Sequence, residues 1–136
     1  MDEHTDVRWK QRFDNYEKAI AHLELALQIQ KPDIVQRAGL IQFFEMSFEL
    51  SWNVMKDYLI DQGYTDVQSP RAAIKKAFET GLIEDGHKWI KLLEDRNLTS
   101  HVYDDATAIK VEELVRNYYY ALLKKLYSRL KTDMNG

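Results

Sequence analysis

Three side chains suited to phosphate chemistry, Arg96, His101 and Tyr103, lie within one eight-residue segment of the sequence. Arginine presents a fixed fork of donors that fits a phosphate, and histidine can move a proton near neutral pH. Tyrosine adds a phenol that can donate a hydrogen bond or accept a transferred group. Segment 96–103 is a polar island between two helical patterns, and it is where the sequence favours phosphoryl chemistry.

Cleavage of an RNA phosphodiester is the reaction that suits this set. A histidine can take the proton of a 2′-hydroxyl or protonate the leaving oxygen. An arginine can stabilise the negative charge that develops on the phosphoryl oxygens. This chemistry needs no metal or cofactor, and His4, His22 and His87 lack ligand spacing, so neither is expected. Because acid and base roles normally need two groups, a symmetric dimer would supply a second histidine.

The sequence is compatible with two backbone geometries of the polar island. In a continuous helix each residue advances by about 100°, so the three side chains, together with Asn97, would share one broad face. A break at 99–100 could instead swing His101 towards Arg96. The Arg-x4-His spacing alone is a weak motif, because the polar residues around it are also those that helix caps and turns require.

Composition limits the classes of protein to be considered. The 136 residues are 45% hydrophobic and 12% aromatic, which predicts a single domain over 1–136, with 1–5 and 132–136 as flexible ends. The chain has no cysteine, so disulfides and thiolate metal sites are excluded. A net charge of −3 argues against a generic DNA-coating protein. The acidic first residues and the lack of a long apolar run predict a cytoplasmic protein without a membrane span.

Long stretches without glycine or proline, with apolar residues every three or four positions, predict helices and no strands. Helices are expected over about 6–30, about 32–61 and about 70–80. A further helix is expected from about 87 to the polar island at 97, and the last runs from Asp104 or Asp105 to about 131. The sequence thus predicts an all-α fold, an antiparallel four-helix up-and-down bundle with one short extra helix.

The second of these helices is apolar around most of its circumference, which is typical of a helix buried on more than one side. It is expected either to be the central helix of the bundle or to carry a self-association surface. A narrow polar row on it contains Glu45 and Glu49. Carboxylates on so apolar a helix need a partner or must face a cleft.

Several segments together resemble a known family. Arg96-Asn97-x3-His101-x-Tyr103 resembles the Arg-x4-His-x-Tyr signature of HEPN-domain proteins. The second-helix segment 44–59 is similar to the branch known as nucleotidyltransferase substrate-binding proteins, and segments 69–71 and 81–83 look like that branch as well. The resemblance covers about 13–130 of the chain.

This resemblance implies a helical bundle, usually a homodimer, that works with a minimal nucleotidyltransferase. In one interpretation the chain is a metal-independent endoribonuclease toxin, silenced when its partner adenylylates the signature tyrosine. In the alternative it is a non-catalytic subunit that binds substrate or nucleotide for the transferase. A plain helical interaction module is a third interpretation, in which the polar island only caps helices.

The resemblance also implies roles for individual residues, carried over position by position: catalysis for Arg96 and His101, support for Asn97, and modification for Tyr103. Glu45 and Glu49 are expected to orient Arg96.

Overall fold

The computed structural model describes the backbone of residues 3–135 and the side chains of residues 8–135. This part of the chain is helical and contains no strand, which confirms the predicted all-α fold. Its elements, in order, are α1 (Glu3–Leu27), α2 (Ile34–Asp61), α3 (Pro70–Glu79), α4 (Gly86–Asp95), a 3-10 turn (Arg96–His101), α5 (Asp105–Leu114), a π turn (Val115–Tyr119) and α6 (Tyr120–Asn135).

The predicted flexible ends, 1–5 and 132–136, are only partly covered by the residues that the structure describes. Residues 1, 2 and 136 are not among the described residues, while 3–5 and 132–135 have helical backbone. The flexibility of these ends stays a prediction. None of the described helices combines the length and apolar character needed to cross a membrane.

The helix directions follow from side-chain contacts near the helix ends. Arg12 Nε on α1 donates to Asp57 Oδ2 on α2 at 2.8 Å, so α1 and α2 are antiparallel. The α5–α6 segment also runs antiparallel to α1, because Lys131 near its end pairs with Glu17 at 3.2 Å, whereas the earlier Arg116 donates to the carbonyl of Leu27 at the C-terminus of α1. It follows that α5–α6 runs parallel to α2.

α4 has the opposite direction. Lys125 on α6 pairs with Glu84 just before α4 at 2.8 Å, and Tyr119 donates to Asp95 at the other end of α4. α4 and the 3-10 turn that continues it therefore run antiparallel to α5–α6, and antiparallel to α2. α3 is the predicted short extra helix.

α2 is the central helix, with neighbours α1, α3, α5 and α6. The core combines side chains of α2 with buried side chains of the other helices, including α4. Its largest fully buried members are Trp89, Tyr16, Phe13, Phe44, Phe48, Ile20, Leu23, Leu40, Met55, Leu59, Ile74 and Leu92. Tyr16 is buried with its hydroxyl satisfied, because it donates to the carbonyl of Leu123 at 2.5 Å. The predicted burial of this helix on more than one side is confirmed.

Side-chain caps set the starts of several helices. Asp33 caps α2 with a reciprocal capping box through Gln36, which satisfies two orphan backbone donors. Ser69 caps α3 ahead of Pro70 at the first helical position. Asp104, one of the two predicted candidates, caps α5 by accepting from the Thr107 N–H at 3.1 Å.

A charge cluster around the buried Glu112 holds the segment between α1 and α2 against α5. Glu112 on α5 accepts from Arg37 Nε and from Arg116 Nε, both at 2.8 Å. Arg116 also donates to the carbonyl oxygens of Leu27 at 2.7 Å and Ile29 at 2.5 Å. These bonds satisfy the carbonyl groups that a helix C-terminus leaves unpaired. They give a physical reason for α1 to end at Leu27, about three residues before the expected position.

Gly39 lies inside α2, and neither the backbone nor the packing of the described chain requires a glycine there. A Cβ at this position would meet no atom within 4 Å. We expect Gly39→Ala to raise the free energy of unfolding by about 0.5–1 kcal/mol, because alanine loses less backbone entropy in a helix. Urea denaturation at several protein concentrations measures this difference. A less stable variant would contradict the prediction and indicate a second molecule packed on this face.

Candidate functional site

The polar island forms a 3-10 turn directly after α4, so neither of the two geometries considered from the sequence occurs. The Thr99 hydroxyl donates to the carbonyl of Arg96 at 2.7 Å, three residues earlier, which matches the tighter three-residue period of this helix. Thr99 is buried, and its short hydroxyl side chain favours such local bonds over a continued α-helix. The turn holds Arg96 at its start and His101 at its end.

Arg96 is positioned by side chains of α2. Its Nη1 donates to Glu49 Oε1 at 2.7 Å, and its guanidinium lies 5.3 Å from the centre of the buried Phe48 ring. Trp52 Nε1 donates to the other Glu49 oxygen at 3.0 Å. Asn53 donates to the Glu49 carbonyl at 2.8 Å. The orientation of Arg96 is thus set by a carboxylate that is itself held at both oxygens.

An open cleft of about 590 Å³ lies between α2 and the 3-10 turn. Its walls combine polar and apolar side chains, as ligand sites do; they are Gln42, Glu45, Met46, Glu49, Leu50, Arg96, Asn97, Thr99 and Ser100. The structure therefore brings together four of the residues predicted from sequence: Arg96, Asn97, Glu45 and Glu49. Glu45 contributes a half-buried carboxylate that makes no hydrogen bond to Arg96.

His101 and Tyr103 lie beyond the end of this cleft and are not among its wall residues. Their rings are 6.0 Å apart in an edge-on arrangement, and Tyr103 is 83% exposed. At three residues per turn and about 2 Å per residue, His101 lies about 10 Å along the turn from Arg96. The two side chains thus face solvent at opposite ends of one turn.

The hydrogen bonds around the turn perturb two pKa values. Burial and the hydrogen bond to Asp95 raise the pKa of Tyr119 above its usual range. Asp95 also pairs with Lys91 at 3.1 Å, so the residue before Arg96 is anchored to both α4 and the π turn. The Thr107 hydroxyl and N–H lower the pKa of Asp104, which keeps the α5 cap ionised.

Sequence reasoning missed the residues that hold the turn in place. Neither Phe48 nor Trp52 was predicted to have a role in the site, although Trp52 is three residues from Glu49 and four from Phe48, which places it beside both on the helix surface. The Tyr119–Asp95 bond had no sequence signal, because it depends on the π turn. Within the described residues no group of three histidine, aspartate or glutamate side chains is placed to hold a metal ion.

Comparisons with known proteins identify the family of this chain. Residues 11–132 match the family described as nucleotidyltransferase substrate binding protein like. A Haemophilus influenzae protein named "Probable ribonuclease HepT" is 34% identical over a match of 113 residues, and the match covers 76% of this chain and 77% of that protein.

Two solved structures have the same fold. A crystal structure of a Thermus thermophilus protein is 31% identical, with a TM-score of 0.77 over 85% of this chain and 98% of that one. A Haemophilus influenzae structure, described as revealing the fold of a substrate binding domain of a nucleotidyltransferase, is 30% identical, with a TM-score of 0.77 over 88% and 98% of the two chains. The chain therefore belongs to the family of nucleotidyltransferase substrate-binding-like proteins, which is the branch that its sequence resembles.

Proposed function

We propose that this protein is a metal-independent endoribonuclease that works as a homodimer and is neutralised by a partner nucleotidyltransferase. The observation that carries the proposal is Arg96, fixed by Glu49 and Phe48 at the mouth of an open cleft. The similarity to a protein named as a probable ribonuclease supports the reaction class. The substrate-binding description of the related structure supports the partner class.

Arg96 would bind the phosphate that is cleaved. One of its N–H groups is engaged by Glu49, and its other donors make no hydrogen bond within the described residues. A guanidinium fixed in this way stabilises charge on a phosphoryl oxygen without having to reorganise during the reaction. Asn97 lies beside it on the cleft wall and can donate a further hydrogen bond.

His101 would transfer a proton at the 2′-hydroxyl or at the leaving oxygen. It is exposed at the end of the 3-10 turn, so an RNA strand that reaches Arg96 can extend towards it. In a symmetric dimer a second copy of the same turn would contribute another histidine. Ile34 and Val35, at the start of α2, are adjacent exposed apolar side chains, and a second copy packed there would remove them from water.

The test of the proposed function is an RNA cleavage assay on the purified protein, with and without a metal chelator. Cleavage that leaves 2′,3′-cyclic phosphate ends and persists with the chelator is expected. Sedimentation at micromolar concentration should show a dimer. A protein that cleaves no single-stranded or transfer RNA at any concentration tested would contradict the nuclease proposal.

Tyr103 is the residue that a partner would modify. It is the most exposed large side chain of the site, and its ring adjoins His101, so a bulky anionic adenylate there would block access of RNA. We expect co-expression with the partner nucleotidyltransferase to add one or more adenylate masses to the intact protein and to suppress cleavage. Tyr103→Phe should receive no adenylate and stay active, whereas Tyr64→Phe, a tyrosine outside the site, should be modified as the unaltered protein is.

A non-catalytic binding subunit is the second candidate function. The observation that favours it is the charge of the cleft, where Glu45 and Glu49 outnumber Arg96, which favours a ligand with fewer negative charges than an RNA strand. In this case the purified chain should bind ATP or the partner transferase in calorimetric titrations and should cleave no RNA. Binding of neither would reject this alternative.

A further inference from the structure

Two glutamates of α2 face the same cleft in different environments. Both oxygens of Glu49 accept hydrogen bonds from the protein, one from Arg96 at 2.7 Å and the other from Trp52 at 3.0 Å. Glu45, one helical turn away, lines the cleft half-buried and forms no hydrogen bond or ion pair within residues 8–135. The carboxylate of Glu49 is therefore occupied by its hydrogen bonds to Arg96 and Trp52, whereas the carboxylate of Glu45 can bind a ligand.

The direction of the 3-10 turn places Glu45 on the side of His101. The turn continues α4, and α4 runs antiparallel to α2, because α4 is antiparallel to α5–α6 and α2 is parallel to α5–α6. Moving along the cleft from Arg96 to Ser100 therefore leads from Glu49 towards Glu45. Ser100 immediately precedes His101, so Glu45 and His101 belong to the same end of the site.

We propose that Glu45 is the general base of the RNA cleavage proposed above, and this inference rests on that function. The Glu45 carboxylate takes the proton of a ribose 2′-hydroxyl, and O2′ forms a bond to phosphorus. The bond from phosphorus to O5′ breaks, and protonated His101 gives its proton to O5′. One proton is taken up and one is released, and the products are a 2′,3′-cyclic phosphate and a 5′-hydroxyl. Between the two proton transfers, Arg96 stabilises the negative charge on the phosphoryl oxygens.

The charged groups that face Glu45 suit a proton acceptor. The charged residues on the cleft wall are Glu45 and Glu49 from α2 and Arg96 from the 3-10 turn; within the described chain, no charged side chain of α1, α5 or α6 lines it. Glu49 and Arg96 neutralise each other through their 2.7 Å contact. The carboxylate of Glu45 therefore faces the cleft without a cation bound to it in the described part of the chain. Each chain thus holds both an acid and a base.

Glu45→Gln tests the proposal on a fluorophore–quencher single-stranded RNA that the unaltered protein cleaves. We expect kcat to fall by about 10²-fold or more, with KM nearly unchanged, and Glu45→Asp to recover part of the rate. Glu113→Gln makes the same chemical change at an exposed carboxylate of α5 outside the cleft, and it should cleave at the unaltered rate.

Two further readouts separate proton transfer from structure or binding. The acidic limb of the pH profile of kcat/KM should disappear in Glu45→Gln and persist in Glu113→Gln. An uncleavable 2′-deoxy version of the substrate should bind Glu45→Gln as tightly as the unaltered protein.

Three results would overturn the assignment of Glu45. These are an unaltered rate in Glu45→Gln, an acidic limb that persists in this variant, or a loss of affinity for the deoxy substrate as large as the loss of rate. In each case the unaltered protein still cleaves RNA, so the proposed function stands. If the unaltered protein cleaves no RNA, the proposed function itself fails and the role of Glu45 fails with it.

Discussion

RNA cleavage should fall by at least about 10²-fold when Arg96 or His101 is replaced by alanine. Arg96→Ala removes the guanidinium that would stabilise the phosphoryl charge and leaves Glu49 without its partner in the cleft. His101→Ala removes the proton-transfer group at the exposed end of the 3-10 turn. Steady-state cleavage of the fluorescent single-stranded RNA measures both losses, and circular dichroism checks that each variant is folded.

Matched controls separate the site from the bulk charge of the protein. Arg71 is an exposed arginine on α3 and His87 an exposed histidine on α4, both outside the cleft. Arg71→Ala and His87→Ala should therefore cleave at the unaltered rate. The double variant of Arg96 and His101 should be little worse than either single one, because residues that act together lose activity non-additively. Undiminished cleavage in both single variants would remove the proposed active site.

Glu112→Gln is expected to destabilise the fold by about 3 kcal/mol, the typical cost of removing one partner of a buried ion cluster. Glu112 is 8% exposed and holds Arg37 and Arg116, and these tie α2 and the α1–α2 connection to α5. A neutral amide leaves both guanidinium groups without a countercharge. Urea denaturation should show the loss, with the melting temperature lower by about 10 °C. Glu113→Gln, at the adjacent exposed residue, should unfold as the unaltered protein does.

The same carboxylate predicts how stability depends on pH. Burial raises the pKa of Glu112, but the hydrogen bonds and charges of Arg37 and Arg116 outweigh burial, so the folded-state pKa lies below the usual value. The stabilisation is therefore complete above the unfolded-state pKa of about 4.3 and is lost as the pH falls towards the lower folded value. Glu112→Gln should unfold with a weaker dependence on pH below about 5. An equal dependence in both proteins would contradict this role of the cluster.

The helical architecture could be predicted because it depends on local and periodic signals. Apolar spacing identified the helices, and residue types at single positions limited the cap of α5 to Asp104 or Asp105, of which the structure shows Asp104. The burial of α2 on more than one side followed from apolar residues around its circumference, and the contacts with its neighbours show that it is the central helix. Each of these signals is contained in a short stretch of sequence and does not require knowledge of which elements touch.

Features that arise from contacts between distant elements could not be predicted. Arg96 meets Glu49 across 47 positions of sequence, so only the resemblance, and not the pattern, suggested their pairing. The 3-10 geometry of segment 96–101 depends on how α4 docks on α2, which residue propensities do not specify. For the same reason the sequence could not separate Glu49, which is bound on both oxygens, from Glu45, which is unpaired.

The π turn over Val115–Tyr119 has a consequence for how relatives of this chain can differ in length. A π turn holds one residue more than the α-helical turn it replaces, and the helix on either side keeps its rotational phase. A relative that lacks one residue here can thus form an uninterrupted α-helix whose two halves still present the same core stripes. What such a relative loses is the local bulge that brings Tyr119 to Asp95. A one-residue gap at this point in an alignment would therefore mark a change at the base of the 3-10 turn, with the bundle itself conserved.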